Sequence, residues 1–497
     1  MAIRKIVLIE PKSPDRHVFS RWKLPRLGLV ILATRLKQAG YDVKLFVEEV
    51  APVDFDALFS ADLVGLSAIT ATAPRAYEFA RAARRAGIPV LLGGPHVTFL
   101  PDEALQYGDY VLRGEADDLI VDLVRAIDSG QGLDAFPSLS RRAGDRIVHN
   151  PSRSSCPDVE ALPVPDLALI EGYDLSPQAD SLVPVQTSRG CPFNCTFCSV
   201  TRMFGREYRF RSTENVMVEL RPHKGRYVFF YDDNFTANRA RAKELLRAMI
   251  RERLGIRWSA QVRCDAAADP ELLDLMAESG CYYVYIGLES ISPEVLKGFD
   301  KRQTVEQMEH AIRAFHGHSI RIHGMFIFGA DHDTRDTFRE TVRFARAHHI
   351  ESAQFMILVP LPGTPLLAQL EQEGRLLSRD WSLYDAHHVV FRPKNMSTLT
   401  LQVETLRAFC RFYSLWPAVR RAFRFDWYSL AIKLWGHHHA RQCRRRLADY
   451  VEVTRAWAHE TGQKVELRAR RTADDIKAAV ARFDLDSLRR RRGQRRA

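Results

Sequence analysis

The chain has 497 residues, more than one ordinary core supports, so its length predicts two or three domains. Hydrophobic residues make up 46% and charged residues 27%, as in ordinary globular proteins, and eight mostly isolated cysteines argue against a disulfide framework and favour a reducing, cytoplasmic compartment. The net charge of +11 is concentrated at 411–446 and in a terminal tail, and because no RNA-binding module accompanies it, a nucleic-acid partner is not indicated.

Residues 1–140 alternate short apolar runs with amphipathic segments, which predicts parallel strands joined by helices. The first residues read as a strand rather than a signal peptide, and no apolar run is long enough to span a bilayer. The predicted strands are Ile6–Ile9, Val43–Phe46, Leu63–Ser67, Val90–Leu92 and Tyr110–Leu112. The predicted helices are Leu27–Ala39, Pro74–Ala86, Asp102–Gln106 and one that starts near Ala116. This pattern indicates a doubly wound, flavodoxin-like α/β sheet, whose ligands lie at the carboxyl ends of the strands.

Small and polar residues follow three neighbouring strands of this sheet. They are Ser67 and Thr70 after the third strand, Gly93, Gly94 and His96 after the fourth, and Gly114 after the fifth. Paired glycines let the backbone approach a ligand closely. There is no GxGxxG pattern, so a dinucleotide is not indicated, and a sheet without any cofactor is the alternative.

Residues 141–180 carry several prolines and little periodicity, which predicts a linker. Strand and helix patterns then alternate again across residues 181–395. The six predicted strands are Val183–Thr187, Tyr227–Tyr231, Arg257–Gln261, Tyr282–Gly287, Arg321–Ile327 and Ala353–Leu358. Functional residues of such βα units lie on the loops at the carboxyl ends of the strands.

Three cysteines follow the first of these strands, Cys191, Cys195 and Cys198, in the spacing CxxxCxxC. Three thiolates bind three irons of a cubane 4Fe–4S cluster and leave the fourth iron open for a substrate. The alternative is a structural zinc site, which requires four ligands and usually paired CxxC motifs. The next cysteine, Cys264, is far along the chain, and the remaining cysteines lack metal spacing, so one cluster is predicted.

The CxxxCxxC motif, with Gly190 before it and Phe197 inside it, resembles the radical S-adenosylmethionine (SAM) superfamily. The Ser67 and Gly93-Gly94 strand ends that precede it resemble a cobalamin-binding domain, and this domain order is that of the cobalamin-dependent radical SAM enzymes. The resemblance covers residues 1–395. It implies an N-terminal cobalamin-binding domain followed by a partial (β/α)6 barrel, and three cofactors: one 4Fe–4S cluster, SAM and cobalamin.

The resemblance also implies roles for individual residues at the strand ends. The SAM contacts would be Phe197, Asp232, Asp233, Asn234, Arg263, Glu289 and Ser290, with Phe197 as an apolar wall beside the adenine. The cobalamin contacts would be Ser67, Thr70, Gly93, Gly94, His96 and Gly114.

Each of these assignments has a structural alternative. Arg263 and Glu289 would pair with each other, and Asp232 and Asp233 would cap a helix that begins at Arg239. A partial match to DxHxxG, the motif that supplies a histidine to cobalt, runs over 15–20 but ends in serine, so we interpret it as chance. The lower axial ligand of cobalt therefore has no candidate.

The commonest activity in this family is methylation of an unactivated carbon by way of methylcobalamin and a 5′-deoxyadenosyl radical. The resemblance therefore predicts a C-methyltransferase with a low-potential flavodoxin or ferredoxin as electron donor. An oxidative cyclase or rearrangement enzyme, like the anaerobic magnesium-protoporphyrin ester cyclase, is the alternative in the same family. A non-catalytic corrinoid carrier is a third hypothesis, which the intact cysteine motif disfavours because a carrier needs no open iron.

Residues 396–485 lose the βα pattern and are predicted to be helical, with a disordered basic tail at 486–497. The predicted helices are Leu399–Phe412, Trp416–Arg424, Trp427–Leu434, Arg441–His459 and Thr472–Arg482. Three consecutive histidines at 437–439 point in different directions on a helix and make a poor ligand set. The aromatic and basic residues of 411–446 are typical of core packing and of solvated surface. Alternatively, they indicate a hydrophobic substrate, such as an isoprenoid lipid or a tetrapyrrole, and peripheral contact of the protein with a membrane.

Overall fold

The structure, a computed structural model, describes residues 2–13, 24–174, 182–414, 427–458 and 474–483. The chain divides into two compact units, the first made of Met1–Pro184 with Arg470–Ala497 and the second of Val185–Ala469. The partial DxHxxG match, the predicted helix Trp416–Arg424 and the basic tail lie outside the described residues.

The first unit contains a seven-stranded sheet in the order β2-β1-β3-β4-β5-β6-β7. Its strands are β1 (Lys5–Glu10), β2 (Asp42–Val47), β3 (Leu63–Ser67), β4 (Val90–Gly93), β5 (Tyr110–Leu112), β6 (Leu139–Ala143) and β7 (Arg146–His149). Strands β1 to β5 are parallel, and their order is the flavodoxin-like order, which confirms the predicted doubly wound sheet. The hairpin β6–β7 is antiparallel and extends the sheet into the predicted linker, whose first residues are therefore part of the fold.

Helices cover both faces of this sheet. They are α1 (Leu27–Gln38), α2 (Phe55–Ser60), α3 (Ala73–Arg85), α4 (Pro95–Phe99), α5 (Pro101–Ala104) and α6 (Ile120–Ser129). Side chains of a strand point alternately to opposite faces, and in β1 Val7 and Ile9 join one hydrophobic cluster while Ile6 and Leu8 join the other. Burial on both faces explains why these strands read as continuous apolar runs.

The second unit contains a six-stranded sheet in the order β15-β14-β13-β12-β11-β8 and a two-stranded ribbon of β9 and β10. The strands are β8 (Val183–Val185), β9 (Ser188–Arg189), β10 (Arg209–Phe210), β11 (Tyr227–Phe230), β12 (Arg257–Val262), β13 (Cys281–Glu289), β14 (Arg321–Phe328) and β15 (Ser352–Ile357). Neighbours from β11 to β15 pair in parallel. All six predicted strands are present, and their carboxyl ends share one edge of the sheet.

Helices connect these strands, as parallel pairing requires. They are α7 (Val200–Phe204), α8 (Thr213–Leu220), α9 (Arg239–Arg251), α10 (Pro270–Glu278), α11 (Pro293–Gly298), α12 (Val305–Gly317), α13 (Thr337–Ala347) and α14 (Pro365–Gln372). Polar caps fix several starts: Asp269 caps α10, and Thr304 with Gln307 forms a capping box on α12. Asn238, and not the predicted Asp232 or Asp233, caps α9.

The C-terminal helices differ from the prediction in the position of a break, which falls at Leu447, inside the predicted helix Arg441–His459, and not before Arg441. They are α15 (Thr398–Phe412), α16 (Trp427–Arg446), α17 (Ala448–Ala458) and α18 (Asp474–Arg482). The predicted break between Leu434 and Arg441 is wrong, because α16 continues through Gly436, which packs against the ring of Tyr413. Tertiary packing here outweighs the low helix propensity of glycine.

Two aromatic residues of the basic stretch are core residues. Phe412 and Tyr413 are buried, and the Tyr413 hydroxyl exchanges hydrogen bonds of 2.9 Å with the N–H and the carbonyl of Ala353 on β15. They therefore fasten α15 to the sheet. In the described ranges no helix combines the length and apolar character needed to cross a membrane. The last helix, α18, belongs to the first unit, where Ile476 joins its core.

Candidate functional site

The cysteine-bearing loop follows β9 and packs against the segment 298–303, which we call the seat segment. The Thr196 N–H donates to the carbonyl of Phe299 at 3.1 Å, and the Thr196 hydroxyl donates to the carbonyl of Gly298 at 3.3 Å. The rings of Phe197 and Phe299 meet edge to face with centroids 4.9 Å apart. The seat segment therefore fixes the loop between its second and third cysteines, although nothing in the motif itself pointed to this segment.

The three thiols of this loop influence one another. Cys195 is buried, and Cys191 and Cys198 are half-buried. Burial raises the pKa of all three thiols, that of Cys198 to about 12, and the charges of neighbouring thiols raise the pKa of Cys191 and Cys198 further. At Cys195 the charges of Lys301 and Arg263 act against the effect of burial on the pKa. Without a metal these are protonated thiols, and metal binding would release their protons.

A second element supports the start of the same loop. Asp232, which follows β11, is fully buried and accepts hydrogen bonds from the backbone N–H groups of Thr187 and Ser188 at 2.7 and 2.8 Å. The Thr187 hydroxyl also donates to it, and burial raises the pKa of this carboxyl. The sequence predicted Asp232 as a SAM contact. In the structure its carboxylate is hydrogen-bonded to the segment that leads into the cysteine loop.

The next two residues of this strand end are arranged differently. Asp233 is half-buried and accepts a 3.3 Å hydrogen bond from the Gly190 N–H. Burial raises the pKa of Asp233 to about 6, although that N–H acts against it. Asn234 is buried and accepts a hydrogen bond from the Thr236 hydroxyl at 3.3 Å. Of these three residues, Asp233 is the one placed to meet a ligand beside the cysteines.

Arg263 lies at the end of β12 and contacts both the loop and the seat segment. Its guanidinium carbon is 3.6 Å from the ring centroid of Phe193, which lies between Cys191 and Cys195. Its Nη2 donates to the carbonyl of Lys301 at 2.6 Å. The cation is therefore held against the cysteine loop.

Glu289 ends β13 and does not pair with Arg263, so that structural alternative is wrong. Its Oε1 is 2.7 Å from Nζ of Lys301, and both side chains are 8% exposed. Ser290 follows it, and its hydroxyl accepts a hydrogen bond from the Ser292 N–H at 3.1 Å. Sequence reasoning missed Lys301, because a lysine that follows a short helix reads as an exposed residue.

The strand ends of the first unit form a second candidate site. Gly94 has φ +97°, and a Cβ there would lie 2.7 Å from the Ala68 carbonyl oxygen, so this glycine packs against the turn after β3. Gly93 has no atom within 4 Å of such a Cβ and leaves open space. The Thr98 hydroxyl, not singled out from the sequence, donates to the Gly94 carbonyl at 2.9 Å and accepts from the Gly114 N–H at 3.0 Å.

The remaining predicted cobalamin contacts are not equally accessible. His96 is fully buried, and its Nε2 lies 3.2 Å from Oε1 of Glu103, so its ring belongs to the interior. Thr70 is also buried, in a short 3₁₀ turn. Ser67 is half-buried at the end of β3, beside Gly94. Ser67, Gly93 and Gly114 are therefore the predicted contacts that remain at the edge of the sheet.

The donor sets fit the implied cofactors. A cubane takes one thiolate on each of three irons, and the three thiols lie on one short loop near the cations Arg263 and Lys301. In the described part of the chain no three His, Cys, Asp or Glu side chains surround a single-ion position. At the sheet edge of the first unit, the open face of Gly93 admits a bulky ligand.

Comparison with known proteins is consistent with this geometry. Residues 185–345 match the profile of the radical SAM superfamily, and residues 21–124 match that of the B12 binding domain. An uncharacterized methyltransferase of Pyrococcus horikoshii is 32% identical over 87% of this chain and 97% of its own. The bacteriochlorophyllide d C-12(1)-methyltransferase of Chlorobaculum tepidum is 30% identical over 79% of this chain and 84% of its own. The radical SAM methyltransferase TsrM of Kitasatospora setae, solved with cobalamin and a [4Fe-4S] cluster, has a similar fold, with a TM-score of 0.63 and 22% identity over 75% of this chain and 78% of TsrM.

Proposed function

The chain belongs to the cobalamin-dependent radical SAM enzymes, and from that premise we propose that it methylates a carbon atom of a hydrophobic, ring-rich small molecule. The observation that carries methylation is similarity along almost the whole chain to a methyltransferase, at 32% identity. The chain is an enzyme of this family that uses one 4Fe–4S cluster, SAM and cobalamin.

When bound, these cofactors supply a carbon-centred radical and a transferable methyl group. The protein's own part is to bind and to orient. Cys191, Cys195 and Cys198 would hold the cluster, and the seat segment fixes the loop that carries them. Arg263 stacks on Phe193 and would attract the SAM carboxylate beside the open iron.

Two carboxylates would contact the amino and ribose groups of SAM. Asp233 lies beside Gly190, at the start of the cysteine loop, and is half-buried rather than fully buried. Glu289 is held by Lys301 through Oε1, which leaves its second oxygen as the acceptor we assign to SAM. Asn234 and Ser290 are proposed to shape the same surface, and Phe197 to line the adenine.

Cobalamin would lie at the carboxyl edge of the first sheet, against Ser67, Gly93 and Gly114. Ligands of doubly wound sheets occupy this edge, and the open face of Gly93 is the feature that supports the assignment. Gly94 supports the site by closing the turn rather than by touching a ligand.

The substrate class rests on two supports. A relative that acts on bacteriochlorophyllide d, a tetrapyrrole, shares 30% of its residues with this chain over 84% of its own length. The net charge of +11 suits a substrate that combines an apolar ring system with carboxylates. A low-potential flavodoxin or ferredoxin as electron donor and peripheral membrane contact stay proposals from the sequence.

The substrate class is tested by methyl transfer from deuterium-labelled SAM. Cluster-reconstituted protein with cobalamin and reductant is offered a magnesium chlorin, a polycyclic isoprenoid and tryptophan under anaerobic conditions. We expect a mass gain of one labelled methyl group in a hydrophobic, ring-rich compound, and none with the Cys198→Ala variant. Transfer to tryptophan alone would contradict the substrate class. Turnover of magnesium-protoporphyrin monomethyl ester, offered in a parallel reaction, with no gain of label would favour the cyclase.

A further inference from the structure

A buried ion pair includes a residue of the seat segment, Lys301, which has no assigned role beyond holding Glu289. The ammonium of Lys301 and the carboxylate of Glu289 are 2.7 Å apart, and each side chain is 8% exposed. Burial is the largest single influence on the pKa of Lys301 and lowers it, but the charge and the hydrogen bond of Glu289 act in the opposite direction and the net pKa is raised, so the ammonium stays charged. Such pairs are costly to desolvate and contribute little net stability, so their retention calls for another reason.

The backbone is shaped to bring this lysine inside. Asp300 and Arg302, on either side of Lys301, both adopt left-handed conformations with φ of 49° and 52°. Such conformations are uncommon outside glycine, and two around one residue turn its side chain away from the surface. The Arg263 guanidinium fastens the turn by donating to the carbonyl of Lys301.

Strand β13, which carries Glu289, leaves room for the ion pair at Gly287. A Cβ at Gly287 would lie 2.4 Å from Oε1 of Glu289 and 2.8 Å from Nζ of Lys301, so any other residue would displace both ions. The Gln303 amide holds the irregular end of β13 by donating to the carbonyls of Gly287 and Leu288 at 3.1 and 3.0 Å. Both partners of the ion pair are therefore positioned by their own local structure.

The turn that carries Lys301 also contacts a predicted cluster ligand. The carbonyl of Asp300, the residue before Lys301, is 4.0 Å from Sγ of Cys195. Among the charged groups that act on the Cys195 thiol, Lys301 has the largest effect, followed by Arg263, Glu289 and Asp300. Cys264, which is buried, is also influenced by the charges of Lys301, Arg263 and Glu289.

Reduction of a cluster adds one negative charge beside Cys195. A nearby ammonium stabilises the reduced state, a nearby carboxylate destabilises it, and both effects are strong where water is excluded. We propose that the Lys301–Glu289 pair sets the reduction potential of the cluster by placing two opposed charges against Cys195. Lys301 is thus a positioning residue, and this inference rests on the proposed function because it requires the cluster.

The test is a redox titration of the reconstituted protein without SAM, followed by electron paramagnetic resonance. We expect Lys301→Met to shift the potential downwards, since the carboxylate stays, and Glu289→Gln to shift it upwards, since the ammonium stays. The double variant removes both charges, and its potential should lie between those of the two single variants. Opposite shifts with mutual rescue are a signature that a packing defect would not produce.

Two controls accompany the titration. Lys301→Arg keeps the charge and should keep the potential, and Lys243→Met removes a lysine that pairs with Asp269 and Glu271 instead and should also keep it. Iron content and thermal unfolding of each variant show whether it has folded. Shifts in one direction, or no shift in either single variant, would overturn the inference. A wild-type protein that forms no cluster would overturn the proposed function, and the inference with it.

Discussion

The two adjacent glycines after β4 give opposite predictions for stability and for cobalamin binding. Gly94→Ala places a Cβ 2.7 Å from the carbonyl oxygen and 2.9 Å from the nitrogen of Ala68, at a φ of +97° that L-residues avoid. The conformational cost is about 1–2 kcal/mol and the overpacking cost about 1–3 kcal/mol, so we expect a loss of about 3 kcal/mol. Gly93→Leu meets no atom within 4 Å at its Cβ and should leave stability nearly unchanged.

Differential scanning fluorimetry and corrinoid retention separate the two effects. Apo Gly94→Ala should unfold at a temperature several degrees lower, because each kcal/mol shifts the midpoint by about 2–4 °C in a unit of this size. Gly93→Leu should unfold like wild type but lose hydroxocobalamin on a desalting column, while its iron content stays unchanged. Wild-type cobalamin retention in Gly93→Leu would refute the placement of the ligand, and wild-type stability in Gly94→Ala would refute the packing argument.

Three further predictions concern packing and support. Gly436→Ala should lower stability by about 2 kcal/mol, since its Cβ would lie 2.1 Å from the Tyr413 ring, whereas Gly317→Ala, with no neighbour within 4 Å, should be neutral or stabilising in thermal unfolding. Asp232→Asn replaces a carboxylate that accepts three hydrogen bonds, so it should lower the free energy of unfolding by about 1–3 kcal/mol. It should also reduce the iron bound after reconstitution, and full iron content would contradict its supporting role. Asp475→Asn weakens the pairing with Arg75 at 2.6 Å and should speed hydrogen exchange in α18; unchanged exchange would show that the apolar contacts of Ile476, Val480 and Phe483 hold the helix.

Much of the fold was predictable because its signals are local. Parallel strands that are buried on both faces read as apolar runs, and the loops after them carry the polar and glycine residues, so the parallel strands of both sheets were identified. The cysteine motif was equally clear, because ligand spacing lies within one short loop. The hairpin β6–β7 was missed since its outer strand is exposed and has no apolar run.

The supporting residues were not predictable, because their roles depend on distant parts of the chain. Asp232 reads as a ligand from its position at a strand end, but its partners lie 44 and 45 residues earlier. Lys301 reads as a surface residue, and only the fold brings it to Glu289. The break proposed before Arg441 failed for the same reason, since Gly436 is stabilised by contact with Tyr413.

The most direct test of methyl transfer by this enzyme is one anaerobic chromatographic run. Reconstituted protein is incubated with SAM, a low-potential reductant and hydroxocobalamin, and 5′-deoxyadenosine and S-adenosylhomocysteine are quantified together. We predict both products, with 5′-deoxyadenosine absent from Cys195→Ala and S-adenosylhomocysteine dependent on added cobalamin. Undiminished 5′-deoxyadenosine in Cys195→Ala, or 5′-deoxyadenosine without any S-adenosylhomocysteine, would contradict this function.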